Sequence, residues 1–262
     1  MTAASTLDFL CLGSGTSHGV PMIGCRCPVC CSTDPRNQRT RCSAVVSVGA
    51  VTLLIDTSTV LRAQALRHGL DRLDAVLYTH THADHLHGID DLRSFTLRQR
   101  QPLPCYGDAA TLRLIRDRYP YIFADPDLRL RWSIPRLELR ELRGPTDVSG
   151  VRVVPVPLLH GRLPIYGFRI GRLAYLTDCS EIPHTSWPLL DGLHTLVIDG
   201  LRPQPHETHF SISQALEVVA RLRPAQAFLT HLTHDVDHGP TEAQLPADVR
   251  LAYDGLRVTV PF

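Results

Sequence analysis

Thr79-His80-Thr81-His82-Ala83-Asp84-His85 decides the fold of this 262-residue chain. It follows an apolar run, Asp74-Ala-Val-Leu-Tyr-Thr-His80, of the β-branched kind that forms a buried strand. In extended backbone, side chains two apart share a face, so His80 and His82 can hold one ion. If the chain then turns into a helix, Asp84 and His85 face the same pocket and can hold a second. Neutral imidazole and carboxylate are ligands suited to Zn²⁺ or Mn²⁺.

The same design recurs outward from this segment. Val151 to His160, Arg172 to Asp178 and Ala225 to His231 are apolar runs that stop at a metal-competent residue. Val51 to Asp56 and Thr195 to Asp199 end on a carboxylate. Helical periodicity appears between them, over Ser58 to His68 and over Ser211 to Leu222, with Ser211 or Ser213 as cap and Pro224 beyond the end. Leu7–Leu12, Ala44–Val48 and Val51–Ile55 follow one another as an antiparallel meander. These patterns predict an α/β sandwich of two mixed β-sheets flanked by helices rather than one doubly wound sheet. No repeat, low-complexity tract or linker divides the chain, so a single domain over 1–262 is expected.

Composition narrows the function. The net charge is +1, the hydrophobic fraction 44% and the charged fraction 20%, which excludes wholesale disorder and gives no field for nucleic acid or a membrane surface. No apolar run approaches the ~20 residues that span a bilayer, and Met1 to Ser5 carry no basic n-region, so a cytoplasmic location is expected. Nine of the 14 histidines fall in three clusters: His80, His82, His85 and His87; His206 and His209; His231, His234 and His238. The stretch 93–143 holds eleven Arg against six acidic residues, with Trp132 and Tyr119 to Phe123. It reads either as solvated faces of short elements or as a lid or interface insertion.

Gly24-Cys25-Arg26-Cys27-Pro28-Val29-Cys30-Cys31 packs four cysteines into a loop at 24–31. Such crowding suits a metal better than disulfides. Cys25, Cys27 and Cys30 offer three thiolates, and tetrahedral zinc wants a fourth ligand. His234, three residues beyond His231, is the natural candidate, with Cys31, Cys42 and His238 as alternatives. Cys11, Cys105 and Cys179 read as small buried residues. Gly13 to Gly19 is followed by neither the Lys-Ser/Thr of a P-loop nor a clear helix, so it reads as a strand-to-loop turn lining the site. His18 there either touches substrate or is structural.

The His-x-His-x-Asp-His pattern resembles the metallo-β-lactamase superfamily, which implies an αββα sandwich. The resemblance assigns His80, His82 and His160 to one divalent metal and Asp84, His85 and His231 to another, with Asp178 bridging. Two dications about 3.5–4 Å apart activate a shared water and clamp a phosphoryl oxygen. Asp56 would orient a ligand histidine. The opening Leu12-Gly-Ser-Gly-Thr-Ser-His-Gly-Val-Pro21 and the cysteine loop resemble the phosphoribosyl cyclic phosphodiesterase family, the accessory hydrolases of carbon–phosphorus lyase. That similarity runs from Gly13 to the closing Ala252-Tyr-Asp254-Gly255. It implies a structural Zn²⁺ on Cys25, Cys27, Cys30 and His234. It also implies two catalytic Mn²⁺ or Zn²⁺ ions, a homodimer and a role in phosphonate metabolism. His209 would protonate the leaving alkoxide, and Asp84 is counted with it as catalytic. The implied reaction opens 5-phosphoribosyl 1,2-cyclic phosphate to ribose 1,5-bisphosphate, with 2′,3′-cyclic nucleotides as further small substrates. Two rivals are a tRNA 3′-processing endoribonuclease and a non-catalytic accessory protein like those of pyrroloquinoline-quinone synthesis. The first lacks its basic flexible arm here, and the second departs from the full first-metal motif.

Overall fold

Strand β1 (Thr6–Gly13) serves two cores at once. Leu7, Phe9 and Cys11 point into one buried cluster, while Leu10 and Leu12 point into another. The period-2 alternation of a strand divides its side chains in this way, and burial on both faces explains why the runs are continuously apolar. In the computed structural model, which describes residues 6–124 and 134–262, most of the central strands repeat the pattern.

Two seven-stranded sheets result. The first adds β2 (Ser43–Val48), β3 (Val51–Ile55), β4 (Ala75–Leu77), β5 (Leu103–Gly107), β6 (Leu137–Glu141) and β14 (Arg257–Pro261) to β1. β1, β2 and β3 form the expected antiparallel meander, and β3 to β6 run parallel. The second contains β7 (Thr146–Val148), β8 (Val151–His160), β9 (Leu163–Ile170), β10 (Leu173–Leu176), β11 (Thr195–Asp199), β12 (Gln226–Thr230) and β13 (Val249–Leu251). There β10 to β13 are parallel. Phe9, Val46, Leu53 and Leu77 of the first sheet meet Phe168, Tyr175, Val197 and Phe228 of the second in the central core.

Helices close the outer faces. α1 (Leu61–His68), α3 (Arg93–Gln99) and α4 (Ala109–Arg118) contribute Leu61, Phe95, Leu112 and Ile115 to the cluster over the first sheet; the short α2 (Ala83–Leu86) lies between α1 and α3. α5 (Ile212–Leu222) covers the second sheet with Ile212, Ala215, Val218 and Val219. A capping box with Gln214 settles Ser211 as its N-cap. The layering is α/β/β/α. Residues 93–124 and 134–143 supply α3, β5, α4 and β6. The rest of the 93–143 stretch, Trp132 included, lies outside the described residues, as does Met1 to Ser5. No described helix is long and apolar enough to cross a membrane.

Two elements are shorter than their sequence patterns. The run 74–80 is strand only over Ala75–Leu77, because the Thr79 N–H leaves the ladder for the Asp56 carboxylate at 2.8 Å. The helix over 58–68 starts at Leu61, since Ser58 Oγ takes the Val60 N–H and forms a turn. That turn also carries α2: Thr57 N–H donates to His85 O, and Gly88 N–H to Thr57 O. A Cβ on Gly88 would sit 2.0 Å from Ser58 O. Gly88→Ala is therefore expected to lower stability by about 1–3 kcal/mol or more, as overpacking against backbone does. Denaturant titration checks this, and an unchanged midpoint would mean the α2 turn yields freely.

Candidate metal centre

Most of the functional side chains stand at the C-terminal ends of strands, which have a parallel neighbour in every case but β8, and α/β sheets leave their ligands room there. His80 follows β4, Asp178 follows β10, His231 follows β12 and His160 ends β8. Asp56, Asp178 and His231 all have positive φ, 61°, 56° and 60°. Left-handed backbone is uncommon outside glycine and costs about 1–3 kcal/mol where the surroundings impose it. Three such residues at one place mark a site that the packing of both sheets holds in position.

Two groups of ligand atoms converge. His80, His82, His160 and Asp178 form one; Asp84, His85, Asp178 and His231 form the other. In each, the ligand atoms lie within 4.8 Å of one another. Asp178 belongs to both. Its Oδ2 lies 3.9 Å from His80 Nε2, while Oδ1 lies 3.1 Å from His85 Nε2 and 3.2 Å from His231 Nε2. Asp84 Oδ2 approaches His85 Nε2 at 3.4 Å and His231 Nε2 at 3.6 Å.

Hydrogen bonds on the far side of the rings turn these nitrogens inward. His85 Nδ1–H donates to Asp56 Oδ2 at 2.7 Å, and His160 Nδ1–H to Thr208 O at 2.8 Å. Thr79 Oγ1 donates to Asp56, so it accepts from His80 Nδ1 at 2.9 Å. Each bond leaves Nε2 as the outward acceptor, the tautomer a metal requires. The Nε2 atoms of His80, His85 and His231 are buried without a hydrogen-bond partner. Buried polar atoms are rarely left so, and a dication in each ligand group, one at His80 and one between His85 and His231, would satisfy all three. The donor set fits the metal pair.

Electrostatics agree. Burial alone raises the Asp84 carboxyl, yet His85 and His231 outweigh it and hold the group well below the usual carboxylate range. Asp178 behaves alike, with His231 and His85 overcoming burial. Burial lowers His80, and the rings around it, His85 first, lower it further. These directions leave Asp84 and Asp178 ionised and His80 neutral, as metal ligands must be, whereas at His85 burial is overcome by Asp178, Asp84 and Asp56, which raise it, so a metal there would have to displace a proton.

His209 borders the centre. Its ring lies 4.6 Å from that of His160 and stacks at 4.8 Å on that of His231. Nδ1–H donates to Asp199 Oδ2 at 2.7 Å. Burial pushes His209 down and Asp199 up. Asp199 received no role from the sequence, although its place at the end of an apolar run is the signal that also pointed to Asp178.

The cysteine loop lies against the same strand end. His234 Nδ1 is 3.3 Å from Cys25 Sγ and 3.4 Å from Cys27 Sγ, and Cys30 completes the group. Cys31 is exposed, Cys42 is buried against Thr230, and His238 pairs with Glu242, so none of these joins it. Arg39, buried and without a carboxylate partner among the described residues, donates to Thr233 O and Asn37 Oδ1, tying the loop to the segment after β12. The Gly13 to Gly19 turn braces the other side. Thr16 N–H donates to Leu232 O, and Leu232 N–H to Ser14 O. Asp254, also unassigned by sequence, accepts from Ser14 and Thr40.

Residues 52–232 match the family of beta-lactamase superfamily domains. The chain belongs to that superfamily. Within it, a solved structure described as a new diphosphatase from the PhnP family superposes with a TM-score of 0.89 at 40% identity, over 96% of this chain and 97% of that one. That likeness places this superfamily member in the PhnP family, with the metallo-β-lactamase fold. An octanoyltransferase of Porphyromonas gingivalis is 39% identical over 95% of this chain, but the match spans only 51% of that protein, about half its length. Coenzyme PQQ synthesis protein B of Methylobacterium nodulans is 28% identical over 74% of this PhnP-family chain and 73% of its own. The short form of human tRNase Z shares the fold alone, with a TM-score of 0.70 at 18% identity over 97% of this chain and all (100%) of that one.

Proposed function

We propose that the protein is a dinuclear metal-dependent phosphodiesterase acting on a small cyclic phosphate, with 5-phosphoribosyl 1,2-cyclic phosphate opened to ribose 1,5-bisphosphate. The observation that carries this reading is Asp178, whose two oxygens face two separate ligand groups. His80, His82 and His160 would hold one ion, Asp84, His85 and His231 the other, both Mn²⁺ or Zn²⁺. Bound there, a dication pair supplies activated water near neutral pH and neutralises phosphoryl charge. Asp56, Thr79 and the Thr208 carbonyl keep the imidazoles aimed. His209, held by Asp199, protonates the departing sugar oxygen, which is a poor leaving group without a proton. The diphosphatase named among the PhnP-family structures supports phosphoryl chemistry in this frame.

A panel of cyclic phosphodiesters, linear diesters, diphosphates and thioesters on Mn²⁺- or Zn²⁺-loaded protein tests the reading. Turnover of the sugar cyclic phosphate is expected. Thioester cleavage with every phosphoester untouched would overturn it, and so would salt-sensitive tRNA cleavage without cyclic phosphodiesterase activity.

Cys25, Cys27, Cys30 and His234 would hold a third, structural Zn²⁺. Cys27 is drawn down to about 6, first by the Cys30 N–H and also by His234. A thiol lowered on folding contributes stability that is complete above its unfolded value near 9 and is lost as pH falls through about 6. Acid titration followed by metal analysis is expected to release one zinc per chain as the thiolates take up protons, at a pH below the value of about 6 for metal-free Cys27, because bound zinc competes with the proton. Cys27→Ser should lack that zinc at pH 7 while retaining the other two ions, and unchanged zinc content would remove the assignment.

A further inference from the structure

We infer that the cavity at the open edge of the sandwich binds a nucleoside monophosphate, with Arg250 and Arg257 holding its phosphate. β13 ends one sheet and β14 ends the other, and Arg250 and Arg257 stand on these two strands. Both line a cavity of about 520 Å³. None of its lining residues belongs to a metal-ligand group, so the inference stands apart from the phosphodiesterase reading.

The basic side of the cavity holds three guanidiniums against one carboxylate. Arg36 is already neutralised by Asp34 at 2.8 Å. Arg250 and Arg257 are exposed, and neither has a carboxylate partner or a side-chain hydrogen bond among the described residues. Edge strands often carry charge to block pairing with another chain. That duty does not require arginines from two different sheets to face one cavity. Glu242, the acid of the cavity, is engaged elsewhere: its Oε2 accepts from Leu251 N–H at 2.9 Å and lies 3.5 Å from His238 Nε2. The nearby Asp8 accepts from Thr259 Oγ1 at 2.7 Å. Two guanidinium forks are thus free for an incoming oxyanion, and phosphate oxygens match such a fork two at a time.

The other side is apolar and aromatic. Phe228 and Leu251 are buried there, and the half-buried Tyr253 ring is set edge-on against His238, with centroids 5.8 Å apart. His238 Nδ1, on the same wall, is buried without a hydrogen-bond partner, which is rare in a finished interior. A phosphate alone would leave most of the volume empty. Cavities of about 300–1,000 Å³ suit ligands that pair an apolar body with a few polar anchors. A heterocycle beside Tyr253 and a phosphate on Arg250 and Arg257 use both sides at once, and a nucleoside monophosphate carries both groups.

Calorimetric titration of AMP and of adenosine into metal-loaded wild type, R250Q/R257Q and Asp178→Asn tests the site. AMP should bind wild type, and Asp178→Asn should keep that binding with the same Kd, because the cavity shares no residue with the metal centre. R250Q/R257Q should bind AMP at least about tenfold more weakly, the size of a lost charge-assisted contact. Adenosine, which lacks only the phosphate, should bind wild type more weakly than AMP by a similar factor. Both arginines are exposed and unbonded, so R250Q/R257Q should fold normally and turn over the cyclic phosphate at the wild-type rate without AMP. Absence of AMP binding, equal Kd values for wild type and R250Q/R257Q, or equal Kd values for AMP and adenosine would each overturn the inference. So would AMP binding that vanishes in Asp178→Asn and persists in R250Q/R257Q, which would place the nucleotide on the catalytic ions. Failure of the wild type to hydrolyse any cyclic phosphate would remove the phosphodiesterase reading and leave this titration unaffected.

Discussion

Asp178→Asn is expected to give a folded protein that no longer retains both catalytic ions and hydrolyses phosphodiesters at least about 10³-fold more slowly. Loss of a partner outside the ligand set costs only about 10–100-fold in metal affinity or activity. Asp178 should cost more because its oxygens approach His85 and His231 at 3.1 and 3.2 Å and His80 at 3.9 Å, so that one substitution touches both groups. Asparagine preserves the volume and tolerates the φ of 56°, which separates the electrostatic effect from backbone strain. What disappears is a buried negative charge facing both ligand groups. Elemental analysis of the purified variant, with turnover on the cyclic phosphate, measures both consequences. Two retained ions with near-native turnover would show that the carboxylate does not join the groups.

His209→Ala and Asp199→Asn form the second large prediction. General-acid assistance contributes about 10²–10⁴-fold, so His209→Ala should lose that much in kcat on substrates that expel an alkoxide. A p-nitrophenyl ester, whose phenolate departs without a proton, should lose far less. Metal content should stay native, because Nδ1 of His209 is committed to Asp199 and the ring only stacks on His231. Asp199→Asn should show the same selectivity for the leaving group, since a carboxamide no longer stabilises the charged ring or holds the donor orientation. Equal losses on both esters would assign the pair to the geometry of the centre instead of to proton transfer.

Much of the fold was legible because its determinants are local. Leu7, Phe9 and Cys11 alternate with Leu10 and Leu12 within eight residues, and the periodicity of Ser211 to Leu222 is complete in three turns. The order His80, His82, Asp84, His85, His160, Asp178, His231 was legible too, through strand ends and family resemblance. Asp199 escaped because nothing beside it in sequence shows that a histidine ten positions on returns to its carboxylate.

By itself, then, the amino-acid order determined which runs become strands and which polar residues stand at their ends, since side-chain periodicity acts over a few neighbours. Tertiary structure alone decided that Asp178 turns one oxygen to each histidine group. It also decided that Thr16 and Leu232 clasp the strand end bearing His231, and that Asp56, Asp178 and His231 adopt left-handed backbone. Those outcomes depend on hydrogen bonds between segments as much as two hundred residues apart, and such bonds exist only after both sheets have closed over their common core.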